Sequence, residues 1–206
     1  MEQRLPVGLW PGAATITLVL WGAVELALRL RLAARPGWRL RLRSWSAAAG
    51  GQLREWTFLL LMLGIAGAVL GALWLTRFAQ FAVHGGKAIV ALGEIVAISG
   101  IALRTWAILT LDKFFTFAVG IADDHVVVQD GPYRVLRHPG YAGALLALAG
   151  AGIAMRNWLS LLLIVVGPAL ALGVRILVEE ATMAGALGAD YQAYANRTAR
   201  LIPRIW

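Results

Sequence analysis

Two short polar stretches in an otherwise apolar chain contain the side chains best suited to chemistry. The first, residues 131–141, has the sequence GPYRVLRHPGY, and the second, residues 175–180, has the sequence RILVEE. Charged side chains are costly to keep at the edge of a bilayer, so a reason for their presence is expected. We predict that both stretches contribute to the binding of a polar cofactor.

The first stretch predicts a turn followed by the start of a helix. Residues 123–133 combine a short β-branched run with Asp-Gly-Pro, which indicates an extended piece and a turn. Pro139 suits the first position of a helix, where the N–H that proline lacks would have no helical partner. The free N–H groups of this helix start, beside Arg134, Arg137 and His138, would suit a small carboxylate or a phosphate.

The second stretch places two acids on different faces of a helix. Arg175 and Glu179 are four residues apart, a spacing that by itself indicates an ion pair within the helix. Glu180 lies about 100° further around the helix axis, so only one of the two carboxylates needs to pair with Arg175. Two adjacent acids beside an arginine favour ligand binding over simple solvation.

Two tyrosines follow on the same part of the chain. Tyr191 and Tyr194 are three residues apart and share a helical face. The alternative to a site role is an amphipathic helix on the membrane surface, with the rings at the headgroups. That alternative is stronger for Tyr194 than for Tyr191.

Three charged residues lie inside apolar segments, namely Glu25, Glu94 and Arg104. Such residues are candidates for a substrate route. The favoured alternatives are that Glu25 lies beyond the hydrocarbon and that Glu94 and Arg104 pair across helices. The chain has no cysteine, and its three histidines lack paired helical spacing, so no thiolate chemistry and no metal site are expected.

The composition predicts an integral membrane protein. Hydrophobic residues make up 60% of the 206 residues, and the mean hydropathy is +0.72, whereas soluble domains are roughly half apolar. The net charge of +8 comes mainly from arginines between apolar segments. This placement is typical of cytoplasmic loops and not of a nucleic-acid groove, so no nucleic-acid partner is expected.

The apolar segments predict an all-α fold with about five transmembrane helices. A helix needs about 20 apolar residues to cross a hydrocarbon core of about 30 Å. The segments that approach this length are residues 9–28, 56–75, 88–111 and 142–178. The last segment is broken at Arg156 and Asn157, so it is predicted to form two helices packed as a hairpin. The C-terminal half would form the cofactor pocket.

The distribution of arginines predicts the orientation. The loop between the first two spans contains Arg29, Arg31, Arg35, Arg39, Arg41, Arg43 and Arg54. The opposite side has only Arg4, Arg77, Lys87 and Arg156. The positive-inside rule then places this loop, residues 112–141 and the C-terminal tail in the cytoplasm. The active site would face the cytoplasm, from the inner or plasma membrane if the protein is bacterial.

The order of these pieces resembles the isoprenylcysteine carboxyl methyltransferase family. The matching pieces are DGPYR at 130–134, RHPGY at 137–141, EE at 179–180, GADYQAY at 188–194 and RLIP at 200–203. Each piece alone is a weak signal, but the ordered set, with a hydrophobic hairpin inside it, is specific. The N-terminal spans carry no matching motif.

The resemblance implies a membrane methyltransferase that uses S-adenosyl-L-methionine. The residues that would surround the methionine portion of this cofactor are Tyr133, Arg134, Arg137, His138, Pro139 and Tyr141. The residues that would close around its ribose and adenine are Glu180, Tyr191 and Tyr194. Arg175 and Glu179 match the positions near the methyl-accepting group, and are the implied catalytic residues.

The resemblance also implies one membrane domain, residues 1–206, with two parts. Residues 1–111 would form three transmembrane helices and the substrate entrance, and residues 112–206 the methyltransferase core. A carboxylate acceptor needs no general base and could be oriented by Arg175. An amine acceptor must lose a proton, which would give Glu179 that role.

The expected substrate is a lipophilic small molecule or a prenylated molecule that enters from the membrane lipids. Within enzymes, the alternatives are methylation of a phospholipid or another small molecule at nitrogen or sulfur, and an NADPH-dependent membrane reductase on a related scaffold. The alternative outside enzymes is a structural membrane protein. The sequence leaves the methyl acceptor and the oligomeric state open.

Overall fold

The computed structural model describes residues 10–34, 51–112, 127–203 and 206, with only the backbone at residues 10, 11, 33 and 51–58. Within these ranges the chain is helical, without a strand. Its helices are α1 Trp10–Ala33, α2 Gly51–Leu75, α3 Gly86–Leu111, α4 Pro139–Ala154 and α5 Trp158–Ala195. The predicted all-α fold with a C-terminal hairpin is confirmed. The central arginines of the α1–α2 loop and residues 113–126 lie outside the described residues.

Three helices are long and apolar enough to cross a membrane, at Gly12–Leu32, Gly86–Leu111 and Trp158–Ala195. The bundle also contains α4, which is shorter, and α2, which is apolar over Leu59–Leu75. The part of α5 before Gly188, residues 158–187, corresponds to about 45 Å at 1.5 Å per residue. This helix is therefore longer than the hydrocarbon core of about 30 Å, and part of it extends beyond the lipid tails.

The fifth helix continues past the predicted end at residue 178. The segment from Glu179 to Leu187 lacks proline and contains strong helix formers, so nothing in it ends the helix. The interruption comes at Gly188, whose φ of 54° and ψ of −126° are not helical. The two acids therefore lie before this kink, and the two tyrosines lie on the short helical piece after it.

Helices α3 and α4 are in backbone contact through small residues. A Cβ atom on Gly100 would lie 2.3 Å from the backbone nitrogen of Ala147, and one on Gly143 would lie 2.6 Å from that of Arg104. Neither position has space for a side chain. Small residues allow membrane helices to approach this closely. The packing brings Arg104 beside the start of α4.

The α4–α5 turn is fixed by Asn157 at the end of the bundle away from the polar stretches. Its side chain accepts a hydrogen bond from the Ser160 amide at 3.0 Å, which caps α5. Its amide nitrogen donates to the carbonyl of Leu75 on α2 at 3.0 Å. Arg156 adopts a φ of 52°, which reverses the chain. The predicted break at Arg156 and Asn157 is confirmed.

The polar residues of α1 and α3 pair differently from the prediction. Glu94 and Arg104 lie on the same helix, about 15 Å apart along its axis, so the predicted pair between them is wrong. Arg104 instead pairs with Glu25, while Glu94 accepts a hydrogen bond from Thr17. Both contacts join α1 to α3.

The start of α4 contacts two short segments, the turn before it and the chain after α5. The predicted turn before it is confirmed as a 3₁₀ helix, Gly131–Arg134, and Pro139 is the first residue of α4. The chain after α5 then returns alongside this turn. The amide of Arg137 donates to the carbonyl of Ala199 at 2.7 Å, and the amide of His138 donates to that of Arg200 at 3.1 Å.

Candidate active site

Glu180 is the centre of a network of three basic side chains. Arg137 Nε lies 2.8 Å from its Oε1 atom, and Arg200 Nε lies 2.9 Å from its Oε2 atom. His138 Nε2 is 3.3 Å from Oε1. Only 13% of the Glu180 side chain is exposed, so the carboxylate is held by charged partners in place of water.

Glu179 is the centre of a second cluster on the other face of α5. The Tyr141 hydroxyl donates to Glu179 Oε1 at 2.5 Å and accepts from Arg175 Nε at 2.8 Å. The predicted pair within the helix forms, with 3.0 Å between Arg175 Nε and Glu179 Oε1. Arg175 is buried, with 2% of its surface exposed. The two adjacent acids therefore pair with different arginines.

His138 connects the two clusters. Its Nδ1 atom lies 3.7 Å from Glu179 Oε2, while its Nε2 atom faces Glu180. The imidazole stacks on the ring of Tyr141, with the centroids 5.7 Å apart and the planes inclined by 8°. The first turn of α4 therefore provides both a bridge between the acids and the hydroxyl beside Arg175.

Arg137 also holds the turn that follows α5. Its Nη1 atom donates to the carbonyl of Ala195 at 2.6 Å and to that of Thr198. Together with the His138 amide, which donates to Arg200, these contacts use donors that the sequence analysis assigned to a bound anion. The guanidinium is therefore part of the wall of the site.

The tyrosines of the site are buried. Tyr194 donates from its hydroxyl to the carbonyl of Tyr133 at 2.9 Å, and its exposure of 3% excludes a position at the headgroups. Tyr191 packs against Tyr194 with ring centroids 6.2 Å apart. Burial raises the pKa of the Tyr133 phenol, so this group is neutral at physiological pH.

A cavity of about 730 Å³ extends from the Glu179 cluster into the apolar helices. Its polar lining comprises Tyr133, Arg137, His138, Tyr141, Arg175, Glu179, Tyr191 and Tyr194, together with Glu25, Arg29 and Arg104. Its apolar wall includes Leu18, Trp21, Leu61, Met62, Ile65, Val69 and Leu172. One space thus joins charged groups to a surface that suits a hydrocarbon chain.

A second cavity of about 440 Å³ lies on the other side of the Glu180 network. It is lined by Leu177, Glu180, Ala181, Ala184, Tyr191, Gln192, Ala195, Asn196 and Arg200. Tyr191 borders both cavities, whereas Arg137 and His138 face only the larger one. The network therefore stands between a mainly apolar space and a more polar one.

Two predicted site residues do not line either cavity. Arg134 has 74% of its side chain exposed and lies 3.8 Å from Asp130 on the surface. Pro139 is fully buried beneath the start of α4. The sequence analysis did not assign Arg200, although the RLIP piece contained it. Within the described ranges, no group of three or more His, Cys, Asp or Glu residues is arranged to hold a metal ion.

Residues 90–185 match the isoprenylcysteine carboxyl methyltransferase family model. This part of the chain is similar to that family. The match spans Arg104, both acids of α5 and the first turn of α4, but ends before Tyr191, Tyr194 and Arg200.

Curated relatives carry the same family name. The chain is 30% identical over 115 residues to a "Probable protein-S-isoprenylcysteine O-methyltransferase" of Oryza sativa subsp. japonica, which covers 55% of this chain and 60% of the relative. It is also 30% identical over 134 residues to "Protein-S-isoprenylcysteine O-methyltransferase B" of Arabidopsis thaliana, covering 64% and 61%. The chain thus spans about 60% of the length of these relatives.

The fold is similar to that of a solved membrane enzyme, described as "the eukaryotic intramembrane Ras methyltransferase" of the same family. The TM-score is 0.54 at 24% identity, over 77% of this chain and 55% of the solved one. At this identity the likeness concerns the fold alone. Together with the three membrane-length helices, it shows that this is an integral membrane protein.

Proposed function

We propose that the protein is an S-adenosylmethionine-dependent methyltransferase that methylates the carboxylate of a lipophilic or prenylated substrate. The observation that carries this proposal is the cavity of about 730 Å³, in which buried Arg175, Tyr141 and Glu179 meet the apolar walls of α1 and α2. The family match and the names of the relatives support a methyl donor and this class of acceptor.

The residues around Glu180 suit the proposed cofactor in their chemistry. Glu180 accepts from three side chains, whereas a carboxylate offers about four acceptor positions, so a ligand hydroxyl can still be bound. Gln192 and Asn196 add amide groups, and Tyr191 adds a ring between the two cavities. When bound, S-adenosylmethionine would supply an electrophilic methyl group on a sulfonium.

Arg175 is proposed to orient the acceptor carboxylate, and Tyr141 is proposed to hold Arg175 in position. Glu179 holds Arg175 in place directly and through Tyr141, whose hydroxyl donates to Glu179 and accepts from Arg175. A carboxylate is already ionised at neutral pH and needs no proton acceptor, so positioning is the main contribution of these residues. Burial of Arg175 keeps water from competing for the same contacts.

The acceptor would carry its apolar part between α1 and α2. These two helices provide most of the apolar lining, through residues such as Leu18, Trp21, Leu61 and Ile65. Burying a hydrocarbon chain against such a wall contributes about 0.8 kcal/mol per CH₂ group. The proposal thus divides the chain into an entrance, residues 1–111, and a methyltransferase core, residues 112–206.

The core would face the cytoplasm, where the soluble cofactor is available. The arginines between the first and second helices support this orientation through the positive-inside rule. The substrate would then arrive sideways from the bilayer, while the cofactor would arrive from water.

Calorimetric titration of the detergent-purified protein with S-adenosylhomocysteine tests the cofactor part of the proposal. We expect binding by the wild type and a strong loss in Arg137→Ala, since Arg137 holds Glu180 and the turn after α5. Arg134→Ala is the matched control, because its side chain is exposed and outside both cavities. Absence of binding by well-folded wild type, or equal binding by Arg137→Ala, would overturn the proposal.

A further inference from the structure

Helices α1, α3 and α4 meet at one partly buried guanidinium. Arg104 on α3 pairs with Glu25 on α1, through Nε to Oε1 and through Nη2 to Oε2 at 3.1 Å. Its remaining nitrogen, Nη1, donates to the backbone carbonyl of Gly140 on α4 at 3.0 Å. All three nitrogens of one side chain are therefore used, each toward a neighbouring helix.

This arrangement requires an arginine. Only 14% of the Arg104 side chain and 15% of the Glu25 side chain are exposed, so an unpaired charge at either position would be costly. The planar guanidinium can bind a carboxylate with two nitrogens and still donate from the third, whereas a lysine ammonium is a single point of charge. Trp21 adds a donor to Glu25 at 3.3 Å.

The contact with Gly140 lies next to the proposed catalytic cluster. Gly140 precedes Tyr141, whose hydroxyl joins Arg175 to Glu179. It follows His138, the residue that precedes the helix, by two residues. The position of the Gly140 carbonyl therefore determines the position of the turn that carries His138 and Tyr141.

We propose that Arg104 is a positioning residue for methyl transfer, with Glu25 as the residue that orients it. Arg104 holds the first turn of α4 through its hydrogen bond to Gly140. Because Glu25 on α1 orients the Arg104 side chain, this hydrogen bond depends on the position of α1. Because α1 forms part of the apolar wall of the cavity, the Arg104 side chain links this wall to the first turn of α4. This inference rests on the proposed function.

Exchanging the charges of Glu25 and Arg104 distinguishes a role of Arg104 in positioning α4 from a role only in joining α1 to α3. In the double variant Glu25→Arg with Arg104→Glu, the ion pair between α1 and α3 is restored in reverse. A carboxylate at position 104, however, has no N–H to donate to the Gly140 carbonyl. We expect thermal stability close to that of the wild type, but kcat lower by about tenfold or more, since a shift of about 1 Å in a reacting group can cost about a hundredfold.

Two further variants complete the comparison. Arg104→Lys can reach Glu25 or Gly140 but not both, so kcat should recover only in part. Thr17→Val removes another polar contact between α1 and α3, at Glu94, and Thr17 is outside the residues that line the cavities. It should lower the melting temperature and leave kcat and KM unchanged. Equal activity of the charge-exchange variant and the wild type would overturn the inference.

Hydrogen exchange of the amides at residues 140–142 gives a measurement that does not need enzymatic activity. We expect faster exchange in the charge-exchange variant than in the wild type or in Thr17→Val, because the first turn of α4 has lost its contact. Unchanged exchange would overturn the inference even if methyl transfer is observed. Absence of methyl transfer by the wild type would count against the proposed function alone, since hydrogen exchange at residues 140–142 would still test the contact of Arg104 with α4.

Discussion

Arg200 donates from Nε to Oε2 of Glu180 at 2.9 Å, so the chain that leaves α5 folds back onto the same helix. This contact places a third basic side chain on the carboxylate, beside Arg137 and His138. It also makes the segment after α5 a wall of the smaller cavity. The candidate site thus includes a residue beyond the part of the chain that matches the family model.

The Glu180 network predicts the effect of removing its charge. Glu180→Gln keeps the shape of the side chain but leaves two guanidinium groups beside a neutral amide. Loss of a hydrogen bond to a charged group costs about 1.5–3 kcal/mol, so affinity for S-adenosylhomocysteine should fall by about tenfold or more. Calorimetry measures the change. Asp130→Asn, at a side chain that is 84% exposed, is the control, and equal affinities for the two variants would contradict the assignment.

The acceptor group determines what Glu179→Gln does. If the acceptor is a carboxylate, Glu179 only holds Arg175 and Tyr141, and glutamine can still accept from both. The rate should then fall by about tenfold, because charge-assisted hydrogen bonds are roughly twice as strong as neutral ones. The pH–rate profile should keep its shape. Loss of one limb of that profile would indicate that Glu179 accepts a proton, and would favour an amine acceptor.

The packing of α3 on α4 predicts opposite effects for two glycine replacements. Gly100→Ala would place a Cβ atom 2.3 Å from a backbone nitrogen of α4, so overpacking should cost about 1–3 kcal/mol. Gly173→Ala has nothing within 4 Å of the new atom, and helix propensity should make it neutral or stabilising by up to about 1 kcal/mol. Thermal unfolding in detergent measures both. A lower melting temperature for Gly173→Ala than for Gly100→Ala would contradict the packing.

Contacts within one helix could be predicted from the sequence. The Arg175–Glu179 pair follows from the period of the α-helix, and the break at Asn157 follows from two polar residues between apolar runs. The start of α4 at Pro139 follows from the chemistry of proline. In each of these positions the controlling interaction is local.

Contacts between distant segments could not be predicted in this way. Glu25 and Arg104 are 79 residues apart, and Arg200 and Glu180 are 20 apart. Their partners depend on how the helices pack, and no spacing rule within one helix contains that information. The backbone contact at Gly143 places Arg104 beside the start of α4. Arg134 shows the converse, since a residue inside a matching motif lies on the surface.

Transfer of a labelled methyl group from S-adenosylmethionine to an S-farnesylated N-acetylcysteine tests the central claim most directly. The protein would be assayed in lipid nanodiscs, beside Tyr141→Phe, which removes the hydroxyl between Arg175 and Glu179. We predict formation of a base-labile methyl ester by the wild type, and a rate lower by about tenfold or more in the variant. A wild-type protein that binds S-adenosylhomocysteine but forms no ester, and instead methylates a phospholipid amine, would contradict the account.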